Sequence, residues 1–382
     1  MKREIYDADH ESFRDSVRSF LDREVKPSWD SYVEAKQFPR EMWRAFGRQG
    51  LLGLEIPEQY GGMAAGDFRY NAVLCEELGK VSMSLGSCHG IHADIVAPYL
   101  VELTTEVQRE RWLPGFVSGE ILTAIGMTEP SGGSDLAALK TTAVRDGDAW
   151  VLNGSKTFIT NGYSADLVVV AARTDPDAKR GRGISLFGVE AGMPGFSRGR
   201  KLDKVGQDES DTAELFFEDV RVPDANLIGE PNQGFVHMMT WLPQERLSNA
   251  IGNIAQAAQI LDETLEYVKE RKAFGQPIGS FQHNKFLLAE LVTKVEVTRG
   301  FLDNAVLAHT RRELTAIDAA KVKWWCADVQ NEVLDACVQL YGGYGYMNEY
   351  RVARAWRDAR VSKIWAGSNE IMKELIGRDL GL

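Results

Sequence analysis

The stretch "AWVLNGSKTFITNGYSADLVVVAAR", residues 149–173, decides how the chain divides. It holds two Asn-Gly steps, Asn153-Gly154 and Asn161-Gly162, each flanked by short β-type runs. Asn-Gly favours positive φ at both central positions of a hairpin turn, so these steps predict adjacent antiparallel strands. Residues 184–189 and 213–217 read as further strands, and Pro223 closes the set. The simplest reading is a small antiparallel β-domain over residues 121–231.

Helices are expected on both sides of it. In residues 1–120, Phe13, Val17, Phe20, Leu21 and Val25 recur at helical spacing, then Met42, Ala45 and Phe46, then Val73, Leu74, Leu78 and Val81. Pro39, Pro57, Gly61-Gly62 and Pro98 punctuate them. In residues 232–382 the periods are longer. The runs 247–268, 281–307 and 317–340 carry apolar faces wider than a surface helix needs. That pattern predicts a four-helix bundle that also buries a face against another subunit. The fold class is therefore α+β: an N-terminal helical domain, a central β-domain and a C-terminal helical bundle.

Composition narrows the function. The net charge of -11 over 382 residues argues against nucleic acid as a partner. Cys75, Cys88, Cys326 and Cys337 form no CxxC pair, so free thiols in a reducing compartment are expected, with no structural metal. The first 25 residues are charged and amphipathic and lack an apolar signal core; no run reaches the roughly 20 apolar residues of a membrane span. A cytoplasmic protein without an integral membrane segment is the expectation.

Four segments could carry chemistry. "AIGMTEPSGGSDLAALK" (124–140) offers hydroxyls at Thr128, Ser131 and Ser134, and glycines that let backbone amides crowd a phosphate or a heterocycle edge. Read alone, such a turn is more often a plain surface loop. In "SKTFITNG" (155–162), Phe158 and Thr160 share one face of a regular strand, as an aromatic wall beside a hydroxyl donor or as simple core. "RKAFGQPIGSFQ" (271–282) places Arg271 at a helix end, where it complements the dipole or meets a pyrophosphate near Phe274 and Gln282. The fourth is "QLYGGYGY" (339–346).

In this order and spacing the four segments resemble the acyl-CoA dehydrogenase family, over essentially the whole chain. "LPQERL" (242–247) and "NEIMKELIGRDL" (369–380) look closest to its long-chain branch, with the isovaleryl-CoA branch next. The resemblance implies tightly bound FAD, a homotetramer built as a dimer of dimers, and a role in fatty acid β-oxidation. It also implies electron transfer to an electron-transferring flavoprotein. Ile125, Met127, Thr128, Gly133 and Ser134 would line the flavin and pyrophosphate, while Phe158, Ile159 and Thr160 face the isoalloxazine ring. Arg271, Phe274, Gln282, Gln339, Leu340, Gly342 and Gly343 would hold the adenine-dinucleotide part across a subunit interface, and Ser368 and Glu370 would touch FAD again. Rival activities on the same fold are an acyl-CoA oxidase and a flavin monooxygenase or nitroalkane oxidase. A silent partner subunit is the rival from another class.

The family reaction removes a proton from Cα of an acyl-CoA while hydride leaves Cβ, which demands a carboxylate at Cα and donors at the thioester oxygen. Many members place the base in an aromatic-Glu-Gly-Thr turn. The matching residues here are Trp365-Ala366-Gly367-Ser368, and Ala366 cannot accept a proton. The long-chain and isovaleryl branches carry a Glu before an Arg on a central helix, matched by Glu245-Arg246. The resemblance thus implies Glu245 as base. Ser134, Arg246, Ala366 and Gly367 would contact substrate, with Val236 and Met239 along the acyl channel or in the core. The ordinary reading of Glu245 is a dipole-stabilising surface carboxylate in the first turn after Pro243.

Overall fold

The computed structural model describes residues 3–179 and 181–382. Helices fill the N-terminal part: α1 (Ala8–Phe20), α2 (Trp29–Ala35), α3 (Arg40–Arg48), α4 (Phe68–Val81), α5 (Met83–Gly90), α6 (Ala97–Glu102) and α7 (Glu106–Ser118). Their ends follow local chemistry. Asp7 and His10 form a capping box on α1, Thr105 and Gln108 form one on α7, and left-handed Gly119 ends α7. A π turn, Ile91–Val96, joins α5 to α6.

Eight strands form one sheet: β1 (Thr123–Gly126), β2 (Thr142–Asp146), β3 (Ala149–Ile159), β4 (Leu167–Arg173), β5 (Ile184–Glu190), β6 (Phe196–Lys201), β7 (Ala213–Pro223) and β8 (Leu227–Ile228). The order is β6-β7-β3-β2-β4-β5-β8, with β1 also on β4. The sheet is mixed, because β1 runs parallel to β4 with Thr123 opposite Leu167. The sequence of β4 explains this. Val168, Val169 and Val170 do not alternate with polar residues, and all three are fully buried. Val169 joins the core shared with Leu100, Trp112 and Phe116, while Val168 and Val170 join the core on the other face with Leu152 and Phe187. A strand covered on both faces reads as a continuous apolar run, and each valine buried this way contributes about 1.5–3 kcal/mol.

The two Asn-Gly steps behave differently from expectation. Asn153-Gly154 is no hairpin turn; it lies inside β3 at an irregularity in its pairing with β7. Gly154 has φ 146°, and a Cβ there would stand 2.6 Å from Thr141 Oγ1, so close backbone approach selects the glycine. The β2–β3 hairpin turns instead at Gly147, with φ 63°. Asn161 does turn the chain, with φ 60°, but that turn leads to β4, which is not a neighbour of β3.

The C-terminal part holds α8 (Gly234–Glu270), the short pair β9 (Lys272–Ala273) and β10 (Gln276–Pro277), then α9 (Gln282–Thr310), α10 (Ala316–Tyr341), α11 (Arg351–Ala359) and α12 (Asn369–Asp379). Leu247, Ile251, Ile254 and Leu261 of α8 pack with Leu291, Val295 and Leu302 of α9 and with Val322, Cys326, Val329 and Val333 of α10. The first of these helices starts at Gly234, well before residue 247, so Pro243 lies inside it. Pro243 has no N–H to give the Met239 carbonyl, a local break in the helical bonding. Glu245 is therefore a mid-helix residue, and the first-turn surface reading does not hold. All four cysteines are free and buried.

Candidate active site

Four elements converge near the middle of α8. Glu245 and Arg246 come from α8, Lys323 from α10, Tyr99 from α6, and the turn 364–368 from the chain before α12. Glu245 is only partly buried. Burial pushes its carboxyl up to about 7, against the opposing charges of Arg246 and Lys323. Arg246 is 6% exposed, and its Nε has no hydrogen-bond partner among the described residues. Tyr99 is buried, and burial followed by the nearby Glu245 charge raises its phenol.

The turn is held in an unusual shape. Ala366 and Gly367 have φ 52° and 83°, both left-handed. A Cβ on Gly367 would meet Met372 Cε at 2.6 Å, and Arg246 Nη2 is 3.9 Å from that same point, so Arg246 adjoins the turn. Ser368 caps α12 by accepting from the Ile371 N–H at 3.4 Å. Glu370 is exposed in the first turn of α12, and a hydrogen bond to its own backbone amide, then one to Ser368, lowers its pKa. A depressed carboxyl is the weaker base. Glu245 is the better placed of the two to remove a proton near neutral pH.

Two further site-lining positions were expected on α8. Val236 is 53% exposed, and nine residues at 3.6 per turn put it on the opposite side of the helix from Glu245. Met239 packs with Trp241 against the core around Trp112 and Phe116. Trp241, about one turn before Glu245, shares its side of α8.

A second group of residues surrounds the start of the sheet. Ile125 and Met127 pack against the same core, while Gly133 and Ser134 are exposed. Phe158 is 69% exposed with φ 59°. The pairing of β3 is irregular between Lys156 and Ile159, so Phe158 and Thr160 do not share a face by simple alternation. Ile159 is 3% exposed and faces the core, leaving only its backbone for a ligand. The Thr157 N–H donates to the Thr128 carbonyl at 3.0 Å and ties the loop to the strand. An aromatic ring left in solvent beside glycine backbone and hydroxyls suits a planar heterocycle with an anionic tail.

The remaining candidates form a separate surface cluster. Arg271, Phe274, Gln282, Gln339, Gly342 and Gly343 are exposed, and Phe274 reaches 97%. Arg271 lies 5.4 Å from the Tyr344 ring centre, over a depression of about 480 Å³ that Gln339, Leu340, Gly342 and Gly343 also line. No hydrogen bond or ion pair among the described residues joins this cluster to residues 128–134 of the same chain.

Comparison with known proteins decides what this arrangement belongs to. Residues 7–120, 124–220 and 232–381 match the N-terminal, middle and C-terminal domains of acyl-CoA dehydrogenases. The chain belongs to the acyl-CoA dehydrogenase family. It is 46% identical to the mitochondrial long-chain specific acyl-CoA dehydrogenase of Rattus norvegicus, over 99% of this chain and 88% of that protein. Identity to the mitochondrial isovaleryl-CoA dehydrogenase of Pongo abelii is 38%, over 96% and 87%. The crystal structure of acyl-CoA dehydrogenase from Geobacillus kaustophilus superposes with a TM-score of 0.98 at 46% identity, covering both chains fully. A glutaryl-CoA dehydrogenase from Mycobacterium smegmatis in complex with FADH2 superposes at 0.92 with 26% identity, over 98% of this chain and 95% of that one. This acyl-CoA dehydrogenase is thus an oxidoreductase of the long-chain and branched-chain type. No helix among its described residues is long and apolar enough to cross a membrane.

Sequence reasoning missed Tyr99 and Lys323. The signal for Lys323 was legible: it shares a stripe at helical spacing with Ala319, Ala320, Cys326 and Ala327, where a lysine is out of place. Nothing in the pattern around Tyr99 sets it apart from core.

Proposed function

We propose that the protein is an FAD-dependent acyl-CoA dehydrogenase that converts an acyl-CoA thioester to trans-2-enoyl-CoA, with Glu245 as its general base. One observation carries the reading: Glu245 is a partly buried carboxyl held near 7, beside Arg246 and a turn whose usual base position is occupied by Ala366. Above its pKa, Glu245 is ionised and can take a proton from Cα; burial strengthens it as a base. The Ala366 N–H makes no hydrogen bond within the described residues, which leaves it free to donate to the thioester oxygen as negative charge develops. Arg246 adds positive charge on the same side.

The residues present fit FAD, which when bound supplies the hydride acceptor for Cβ. The hydroxyls of Thr128, Ser134 and Thr160 have no hydrogen-bond partner among the described residues, and Phe158 lies uncovered beside them. Ile125, Met127, Thr128, Gly133, Ser134, Phe158, Ile159 and Thr160 would hold the flavin end. Arg271, Phe274, Gln282, Gln339, Leu340, Gly342 and Gly343 would complete it across a subunit interface of a homotetramer, with Ser368 and Glu370 nearby. Ser134, Met239, Arg246, Ala366 and Gly367 are the proposed substrate contacts; Val236, exposed on the far side of α8 from Glu245, is not among them. An electron-transferring flavoprotein is the proposed acceptor, fatty acid β-oxidation the process and the cytoplasm the compartment.

The test is anaerobic flavin bleaching by straight and branched acyl-CoAs, with hydrogen peroxide assayed separately in air. Bleaching without peroxide supports the proposal. Rapid peroxide release points to an oxidase, and a flavin that no acyl-CoA bleaches points to a silent subunit.

A further inference from the structure

Lys323 lies on α10 with its side chain fully closed to solvent. Its Nζ donates to the Gly367 carbonyl at 2.7 Å and to Asn369 Oδ1 at 3.1 Å. Asn369 in turn donates to Asp328 Oδ1 at 3.0 Å and to the Trp324 carbonyl at 3.3 Å, and Lys363 pairs with Asp328 at 2.9 Å. Both acceptors of Lys323 are neutral. A buried ammonium without a carboxylate partner is costly, and packing alone would favour an apolar side chain on this stripe. The charges facing it are Arg246, Glu370, Asp328 and Glu245. Burial first, and Arg246 second, bring the amine down to about 8, so it still carries charge at neutral pH.

The carbonyl that Lys323 holds belongs to the residue after Ala366, two peptide units beyond the Ala366 N–H and within the same left-handed pair. Ala366 in a left-handed conformation costs roughly 1–2 kcal/mol, and such strain persists only where the surroundings over-determine it. Here the surroundings are Lys323 on the Gly367 carbonyl and Ser368 capping α12.

We propose that Lys323 is a positioning residue for the α-proton step. By clamping the Gly367 carbonyl it keeps the Ala366 N–H available to the thioester oxygen, and together with Arg246 it supplies positive charge behind that oxygen. The idea rests on the acyl-CoA dehydrogenase reading above and adds to it a lysine that touches neither substrate nor flavin.

The test uses FAD-loaded wild type, Lys323→Met and Lys323→Gln. Calorimetry compares a 3-thia-acyl-CoA, which keeps the thioester oxygen, with an S-alkyl-CoA thioether of equal length, which lacks it. Lys323→Met should weaken the first ligand by about tenfold or more, with the thioether within about twofold, because only the first needs the turn's donor. In turnover it should lower kcat more than it changes KM. The acid limb of the pH profile should move upward, since Lys323 lowers Glu245. Lys323→Gln keeps a neutral donor and should recover part of the thioester preference while leaving the pH limb displaced. Should Lys323→Met not fold, the Lys323→Gln pH limb decides alone. Equal weakening of both ligands, or an unmoved pH limb in Lys323→Gln, overturns the proposal. Wild type that binds neither ligand instead refutes the acyl-CoA reading on which it rests.

Discussion

Lys156 Nζ stands 2.8 Å from Glu129 Oε1, and both side chains are closed to solvent behind the loop 128–134. Lys156 also reaches the Met127 carbonyl at 3.3 Å, while Glu129 accepts the backbone N–H groups of Lys140 and Thr141 at 2.6 and 2.9 Å. Burial alone would raise Glu129, but the Lys156 charge and these donors overcome it and hold the carboxyl down to about 2. The pair fastens the proposed flavin loop to β3.

Removing one partner leaves an uncompensated buried charge, at a cost of about 3–5 kcal/mol, whereas removing both costs much less. Lys156→Met should therefore lower the melting temperature of the holoenzyme more than Lys156→Met combined with Glu129→Leu, and should release FAD more readily. Equal losses in the single and double variants would contradict this.

Glu245 should make the fold less stable as the pH rises. Its folded pKa of about 7 exceeds the ordinary 4.5, so between those values the folded state holds a proton that the unfolded state has lost. Stability falls through that window, by at most about 3–4 kcal/mol at 1.36 kcal/mol per unit. Glu245→Gln should melt higher than wild type at pH 8 and equal to it at pH 4.5. Thermal scans at the two pH values check this, and an unchanged difference between them would refute it.

Gly367→Ala introduces a side chain at φ 83° and a Cβ 2.6 Å from Met372 Cε. Met372 is fully buried and has limited room to yield. Destabilisation of about 1–3 kcal/mol is expected from backbone strain plus crowding, with a larger fall in kcat than in flavin content. A variant with wild-type kcat would show that the turn's shape does not matter to the chemistry.

The helical–β–helical division was readable because periodicity reports burial directly, as in the stripes around Val17 and Leu247. Inside the sheet the reading was weaker. An Asn-Gly step signals positive φ, but it does not say whether a turn or a bulge uses it, and Asn153-Gly154 lies at an irregularity in the pairing of β3 with β7. Phe158 failed for a related reason, since strand alternation assumes regular backbone and its own is left-handed. Pro243 suggested a helix start and lies inside α8, because packing against α4 and α10 outweighs one lost hydrogen bond. Glu245 was legible only as a family position. Its raised pKa comes from burial among elements distant in sequence, against the lowering charges of Arg246 and Lys323, and no local pattern brings these together.

The central claim is that Glu245 removes the α-proton. The most direct measurement is the rate of anaerobic flavin reduction by a saturating acyl-CoA, wild type beside Glu245→Gln, with both proteins shown to carry FAD. Loss of a general base should slow reduction by at least about 10²-fold, and the wild-type rate should rise with pH through about 7. Reduction of Glu245→Gln at the wild-type rate would place the base elsewhere and contradict the account.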